Sequence, residues 1–208
     1  METTPRDNGI VLASASPRRR EMLERMGVVF VTIPADVAED AGEAEPPKDF
    51  VLRVSSDKAL AVAQRNPGAG RWFIGSDTAV VCEGAIMGKP ENDAHAARML
   101  RRLSGTTHEV ISAYAIYDQL RSDWTRRVVR TEVRVRALTQ DEIQGYIASG
   151  EPADKAGAYA IQGLGAFMVS GICGSYTNVV GLPLSEILAD LEELGAYRLF
   201  GGAQFICE

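Results

Sequence analysis

The stretch LASASPRRREML, Leu12–Leu23, decides how the chain is read. Ile10–Ala13 is apolar and reads as a short buried strand. Ser16-Pro17 then opens a helix, with serine as N-cap and proline at the first helical position. Met22, Leu23 and Met26 give that helix an apolar face, and Gly27 ends it. A strand feeding a helix through a short polar loop is an α/β signal, and the alternation continues downstream. The charge is out of place, however. A helix N-terminus carries partial positive charge, yet Arg18, Arg19 and Arg20 fill the first turn. Either the side chains splay into water, or Ser14, Ser16, the free helix N–H groups and the guanidiniums face one bound anion.

Working outward, Val28–Ile33 reads as a second strand and residues 36–47 as an acidic, proline-containing loop. Lys48–Gln64 is a helix stopped by Asn66-Pro67-Gly68. Trp72–Cys82 is apolar and β-prone, but Gly75-Ser76-Asp77-Thr78 interrupts it and puts Asp77 at a strand end. Glu83-Gly84 is a tight turn into Ala85–Met87. Asp93–Leu103 is a helix with Ala96, Met99, Leu100 and Leu103 as its buried stripe. Two strands follow, Glu109–Asp118 and Trp124–Ala137. Thr139 and Glu142 form a capping box for a helix to Ser149. Ala156–Cys173 reads as a glycine-rich strand-and-loop region, and Pro183–Leu194 as a closing helix. Adjacent strands in the middle imply a mixed sheet. No repeat, low-complexity tract or linker divides the 208 residues, so one domain is expected.

The totals exclude several function classes. A net charge of −6 argues against a general nucleic-acid binder. The 3 cysteines include no CxxC pair, which fits a reducing cytoplasm without a disulfide framework. The first residues lack the apolar core of a signal peptide, and no run approaches the ~20 apolar residues of a membrane span. With 2 histidines, a multi-histidine metal cage is impossible. The chemistry falls to carboxylates, Lys, Arg and Gln, a set compatible with a hard metal held by oxygens.

Individual residues break local rules. Lys58 falls among Val51, Val54, Ser55, Ala61 and Val62 on one helix face, so it either snorkels or faces a ligand. Asp77, between two apolar triplets, must be paired, hydrogen-bonded or metal-bound. Lys89, in Gly88-Lys89-Pro90, is an ordinary turn lysine or a second cation near Asp77. Gln162 lies among small residues that let a ligand approach the backbone, or it is an exposed amide at a bulge. Glu39, in the acidic loop, is by default a solvated charge.

Taken in order, these pieces resemble the Maf family of nucleoside triphosphate pyrophosphatases. The matching segments are LASASPRRREML, Asp57-Lys58, GSDTAVV (Gly75–Val81), GKP (Gly88–Pro90) and MLRRLSGTTHEV (Met99–Val110). GEPADKAGAYAIQGLGA (Gly150–Ala166) and GSYTNVVGLPL (Gly174–Leu184) complete the set. The resemblance implies an α/β fold like that of inosine triphosphatases: an elongated mixed sheet flanked by helices, two lobes and a central cleft, with residues 1–9 and 198–208 as peripheral tails. It implies hydrolysis of a nucleoside triphosphate to the monophosphate and pyrophosphate with a divalent metal, Mg²⁺ or Mn²⁺. Asp77 matches the family's proton acceptor. Ser14, Arg18, Arg19, Lys58 and Lys89 match its triphosphate-binding positions, and Glu39, with Asp77, its metal-holding acids. Arg18, Thr78 and Gln162 match the positions tied to substrate choice. DKAGAYAIQG resembles the branch that prefers dTTP and UTP; the branch acting on methylated guanosine triphosphate has Ser-Glu-Gly where Ile161-Gln162-Gly163 stands here. The expected partners are the nucleotide and, from common symmetry, a second copy in a homodimer. No nucleic acid or membrane is expected. The alternative reading is a non-catalytic nucleotide-binding regulator of septum formation. Against it, a pure binder has no need of a carboxylate beside a polyanion.

Overall fold

The computed structural model of the chain describes residues 9–42 and 44–201, so most of the expected tails lie outside the described residues. Gly9 is described, and its carbonyl accepts the N–H groups of Arg71 at 2.8 Å and Trp72 at 3.1 Å. One 7-stranded sheet organises the molecule. Its strands are β1 (Ile10–Leu12), β2 (Phe30–Thr32), β3 (Trp72–Cys82), β4 (Ala85–Met87), β5 (Thr107–Asp118), β6 (Asp123–Val135) and β7 (Val169–Cys173). The order is β2-β1-β3-β5-β6-β7, with β4 also on β3. β1 is parallel to both neighbours and the other pairings are antiparallel, which gives the expected mixed sheet. The helices are α1 (Pro17–Arg25), α2 (Pro47–Arg65), α3 (Asp93–Leu103), α4 (Gln140–Ala148), α5 (Tyr176–Val180) and α6 (Leu184–Glu193). No helix among the described residues is long and apolar enough to cross a membrane.

Alternation along β3 sorts its side chains onto two faces. Phe73, Ala79 and Val81 meet α2, where Phe50, Val51, Val54, Ala59 and Val62 are buried. Trp72 and Ile74 face the other way and pack with Ile187, Leu188 and Leu191 of α6. Further along that face, Val80, Val110 and Val133 pack with Leu100 of α3 and Ile143 of α4. The capping box Thr139/Glu142 forms at the start of α4 as its sequence dictates.

The structure corrects the reading of Gly75–Thr78. β3 runs unbroken through these residues, and all of Trp72–Val81 pairs with β5, Asp77 lying opposite Ala113. Asp77 is therefore mid-strand, in neither a bulge nor a strand end. Gly75 is needed for close approach: a Cβ there would stand 1.9 Å from the Ser55 carbonyl oxygen of α2. The interruption lies in the pairing of the opposite edge. There β1 covers only Trp72–Ile74, with Ala13 N–H reaching the Ile74 carbonyl, and β4 covers only Val80–Cys82. Between them, residues 75–79 have no strand partner on that side among the described residues.

Three smaller expectations also change. Ala156–Cys173 is mostly short 3₁₀ turns, and only Val169–Cys173 is strand. Residues 176–180 form a helix that glycine-flanked Tyr-Thr-Asn-Val-Val did not announce. Ser16 occupies the N-cap position of α1, but its side chain makes no cap hydrogen bond.

Candidate functional site

The unpaired edge of β3 opens into a cleft of about 340 Å³. Every candidate site residue implied by the resemblance lines it: Ser14, Arg18, Arg19, Glu39, Lys58, Asp77, Thr78, Lys89 and Gln162. They arrive from the β1–α1 loop, the acidic loop, α2, β3, the turn after β4 and the segment before β7. Much of the other lining is apolar, from Val80, Val110, Tyr159, Ile161, Val179 and Val180.

Lys58 and Asp77 meet because Gly75 lets α2 lie directly on β3, with Lys58 one turn beyond Ser55. The Lys58 ammonium stands 2.8 Å from Asp77 Oδ1 and 2.7 Å from Glu39 Oε1. It also reaches the Ser76 carbonyl at 3.5 Å. Lys58 and Asp77 are buried, so the lysine faces the cleft and does not snorkel outward. Buried charges of opposite sign must pair in this way. Glu39 is half exposed. Partial burial opposes its charge, but the Lys58 hydrogen bond and charge, with Lys89 and Arg19 behind, hold its carboxyl below the usual range. The default of a solvated loop glutamate is thus replaced by an ion pair with the cleft floor.

The three arginines differ. Arg19 is buried and three of its five donors are used internally: Nε to the Gly181 carbonyl at 2.8 Å, Nη1 to Ser14 Oγ at 3.3 Å and Nη2 to Thr78 Oγ1 at 3.1 Å. Burial lowers its pKa, Asp77 and Glu39 oppose that, and Arg18 adds to it. Arg18 is half-buried at the cleft wall, and its side chain makes no hydrogen bond to another described residue. Arg20 points outward and pairs only with Glu24, at 3.5 Å and more than half exposed. Thr78 Oγ1, besides accepting from Arg19, lies 2.8 Å from Ser112 Oγ and 3.2 Å from the Gly181 carbonyl oxygen, and its one proton serves either of them. Lys89 and Gln162 are exposed on the cleft walls.

Sequence reasoning missed what holds Arg19. Ser112 Oγ donates to the Asn178 carbonyl at 3.1 Å, and the buried Asn178 amide donates to the Val110 carbonyl and to Thr131 Oγ1. These bonds fasten α5 to the sheet, and α5 ends at Gly181, whose carbonyl Arg19 uses. The only signal was the motif Gly174–Leu184 itself, since a carbonyl acceptor carries no residue-type mark. Asp154 and Lys155, paired with each other, also line the cleft. For a divalent cation, Glu39 and Asp77 are the carboxylates that converge. Among the described residues, no group of 3 or more His, Cys, Asp or Glu is arranged to hold one.

A family model described as Maf-like protein matches residues 9–194. The chain belongs to the Maf family. It is 53% identical over 201 residues to a dTTP/UTP pyrophosphatase of Syntrophotalea carbinolica, covering 97% of this chain and 91% of that protein. It is 54% identical over 187 residues to a dTTP/UTP pyrophosphatase of Geobacter sulfurreducens, covering 90% and 97%. A Maf relative named dTTP/UTP pyrophosphatase in Myxococcus xanthus is 48% identical over 186 residues, covering 89% and 92%. Among solved structures, a nucleoside-triphosphatase / dITP/XTP pyrophosphatase from Mycobacterium abscessus aligns with a TM-score of 0.37 and 12% identity. That alignment covers 68% of this chain and 95% of the other, a likeness too weak to bear on the Maf fold.

Proposed function

We propose that this Maf-family protein hydrolyses dTTP and UTP to the nucleoside monophosphate and pyrophosphate. The observation that carries the reading is the Lys58 ammonium held between Asp77 and Glu39 on the floor of a cleft that Arg18, Arg19 and Lys89 also line. The names of the relatives supply the substrate class. Carboxylates at the centre of a cationic cleft would only repel a polyanion unless they handle a water or a cation.

Asp77 is the general base. Its hydrogen bond to Lys58 falls on Oδ1, and Oδ2 is left to orient a water and take its proton. The water oxygen bonds to phosphorus, the bridge between the α- and β-phosphates breaks, and the electron pair leaves with pyrophosphate. Arg18, Lys58 and Lys89 neutralise the charge gathering on the phosphates. Arg19 and Ser14 shape the β1–α1 loop around them; Thr78, its hydroxyl saturated, acts through Arg19. Gln162, whose exposed amide both donates and accepts, reads the pyrimidine edge.

The donors fit a divalent ion completed by substrate. Two carboxylates already converge on one cationic point, and Mg²⁺ is commonly held by one or two carboxylates plus phosphate oxygens and waters. When bound, such an ion supplies neutralisation of the phosphates beside Glu39 and Asp77.

Pyrophosphate release from a panel of nucleoside triphosphates, with Mg²⁺ and with Mn²⁺, tests the proposal. The expected result is the highest kcat/KM for dTTP and UTP. Absence of release, or preference for a purine nucleotide, overturns it.

A further inference from the structure

His108 is a buried titratable group that this mechanism leaves unused, and, unlike Asp118 and Asp190, it has no charged partner among the described residues. It sits on β5 opposite Val133, is 2% exposed, and does not line the cleft. Its Nε2 is 2.8 Å from the hydroxyl of Tyr159, and the two rings meet edge to face at 5.3 Å. Its Nδ1 is buried without a partner among the described residues.

Stability alone does not account for this histidine. Val110, Val133 and Met168 belong to the same apolar cluster as Tyr159. Phenylalanines at both 108 and 159 would fill such a place without stranding a polar atom, and an unpartnered buried polar atom is costly. The hydrogen bond cannot satisfy both groups. With the proton on Nε2, histidine donates to the tyrosine and the tyrosine's own hydrogen has no acceptor among the described residues. With the proton on Nδ1, that N–H is the orphan. Either tautomer leaves one donor unpaired.

What the pair does hold is a strained wall of the site. Tyr159 lines the cleft, and so do Ala160, Ile161 and Gln162 after it. Just before it, Gly157 (φ 70°) and Ala158 (φ 58°) are left-handed, an unfavourable state for alanine. The Gly157 N–H is bound to the Gly88 carbonyl at 3.0 Å, which ties this turn to the one carrying Lys89. The Tyr159–His108 hydrogen bond is one side-chain anchor of the same turn; another is Tyr146 Oη, which accepts the Ala160 N–H at 3.2 Å.

We propose that His108 is a positioning residue: through Tyr159 it fixes the segment bearing Gln162 and so sets affinity for the nucleotide without touching it. Burial favours the neutral imidazole, pushing its pKa down to about 4, so the hydrogen bond persists across the working pH range. This inference rests on the proposed substrate and extends it to a residue outside the cleft.

The test compares wild type, His108→Phe, Tyr159→Phe, the double variant and His108→Gln. Melting temperature, KM and kcat for dTTP are measured, with Kd for the non-hydrolysable α,β-imido analogue of dUTP. In His108→Phe and Tyr159→Phe, KM and Kd rise about fivefold, the size of one neutral hydrogen bond. Their kcat stays within about twofold, as expected when uniform binding is lost. The double variant is no worse than either single, and His108→Gln, which offers an amide near the Nε2 position, recovers wild-type KM. Unchanged KM and Kd in folded variants, or additive losses in the double, overturn the proposal. If His108→Phe does not fold, Tyr159→Phe reads the same bond. Wild type that binds the analogue without turnover refutes the proposed reaction while Kd still decides the role of His108; wild type that binds nothing refutes both.

Discussion

At Asp77 the chemistry depends on a charge, and replacing it with asparagine keeps the shape while removing the base. Asp77→Asn should lower kcat by about 10²–10⁴-fold, the range for a lost general base. Affinity for the α,β-imido analogue should hold, because the lost charge faced phosphate. Pyrophosphate release and titration calorimetry check the two halves; near wild-type kcat would remove Asp77 from its role. The arginines give a second contrast. Arg18→Ala should weaken triphosphate binding about tenfold or more, as for a charge-assisted hydrogen bond, and leave thymidine binding alone. Arg20→Ala should change neither, since its exposed pair with Glu24 contributes little. The family resemblance already set Arg18 and Arg19 apart from Arg20; burial then separates the first two into a cleft-facing one and an anchored one.

At the scale of elements, the contact of α2 with β3 sets the site. Gly75→Ala places a methyl group 1.9 Å from the Ser55 carbonyl oxygen and 2.8 Å from the Ala59 nitrogen, both backbone, so the helix must move and carry Lys58 with it. The expected cost is about 1–3 kcal/mol or more, with lower kcat, read by thermal melting and turnover. Gly145→Ala is the matched control. It lies in α4 with nothing within 4 Å of an added Cβ, and should stabilise by ~0.5–1 kcal/mol through helix propensity without touching kcat. Periodicity announced α2 and α3, a capping box announced α4, and Lys58 stood out on its helix. It could not announce that Gly75 was a contact, because a glycine in a strand reads equally as a bulge.

At the scale of the molecule, stability should fall in acid in two stages. His108 is held neutral by burial, with a pKa lowered from 6.5 to about 4. Between those values the unfolded chain takes up a proton that the folded one refuses, so stability drops as pH falls through that window. Below it, buried Asp118 and Asp190 follow. Arg71 holds the Asp118 carboxyl below its usual range against burial. Burial pushes the other way at Asp190, but Arg127 and Tyr114 prevail and hold it low too. Such depressed carboxylates contribute stability above their unfolded pKa and lose it as pH falls through the folded one. Denaturant melts from pH 7 to pH 3 should show both stages, and His108→Phe should flatten only the first; a single stage below pH 4 in wild type would contradict this. Asp190 accepts from Tyr114 on β5 and Arg127 on β6 and so fastens α6 to the sheet.

The α/β alternation and the mixed sheet were legible in local pattern, because apolar period and capping residues are short-range signals. Misplaced charge marked the arginines, Lys58 and Asp77, but Thr78, Gln162 and Glu39 carried no such mark and came only from resemblance to Maf motifs. Tertiary structure alone decided why the cleft exists. β1 ends at Leu12 and β4 begins its pairing at Val80, so one edge of an unbroken β3 is left open at Asp77. That depends on which strands lie side by side, over separations no local rule spans. The same holds for Glu39 on Lys58, for the Gly181 carbonyl on Arg19 and for His108 on Tyr159. Each joins residues whose partners the chain brings together only on folding.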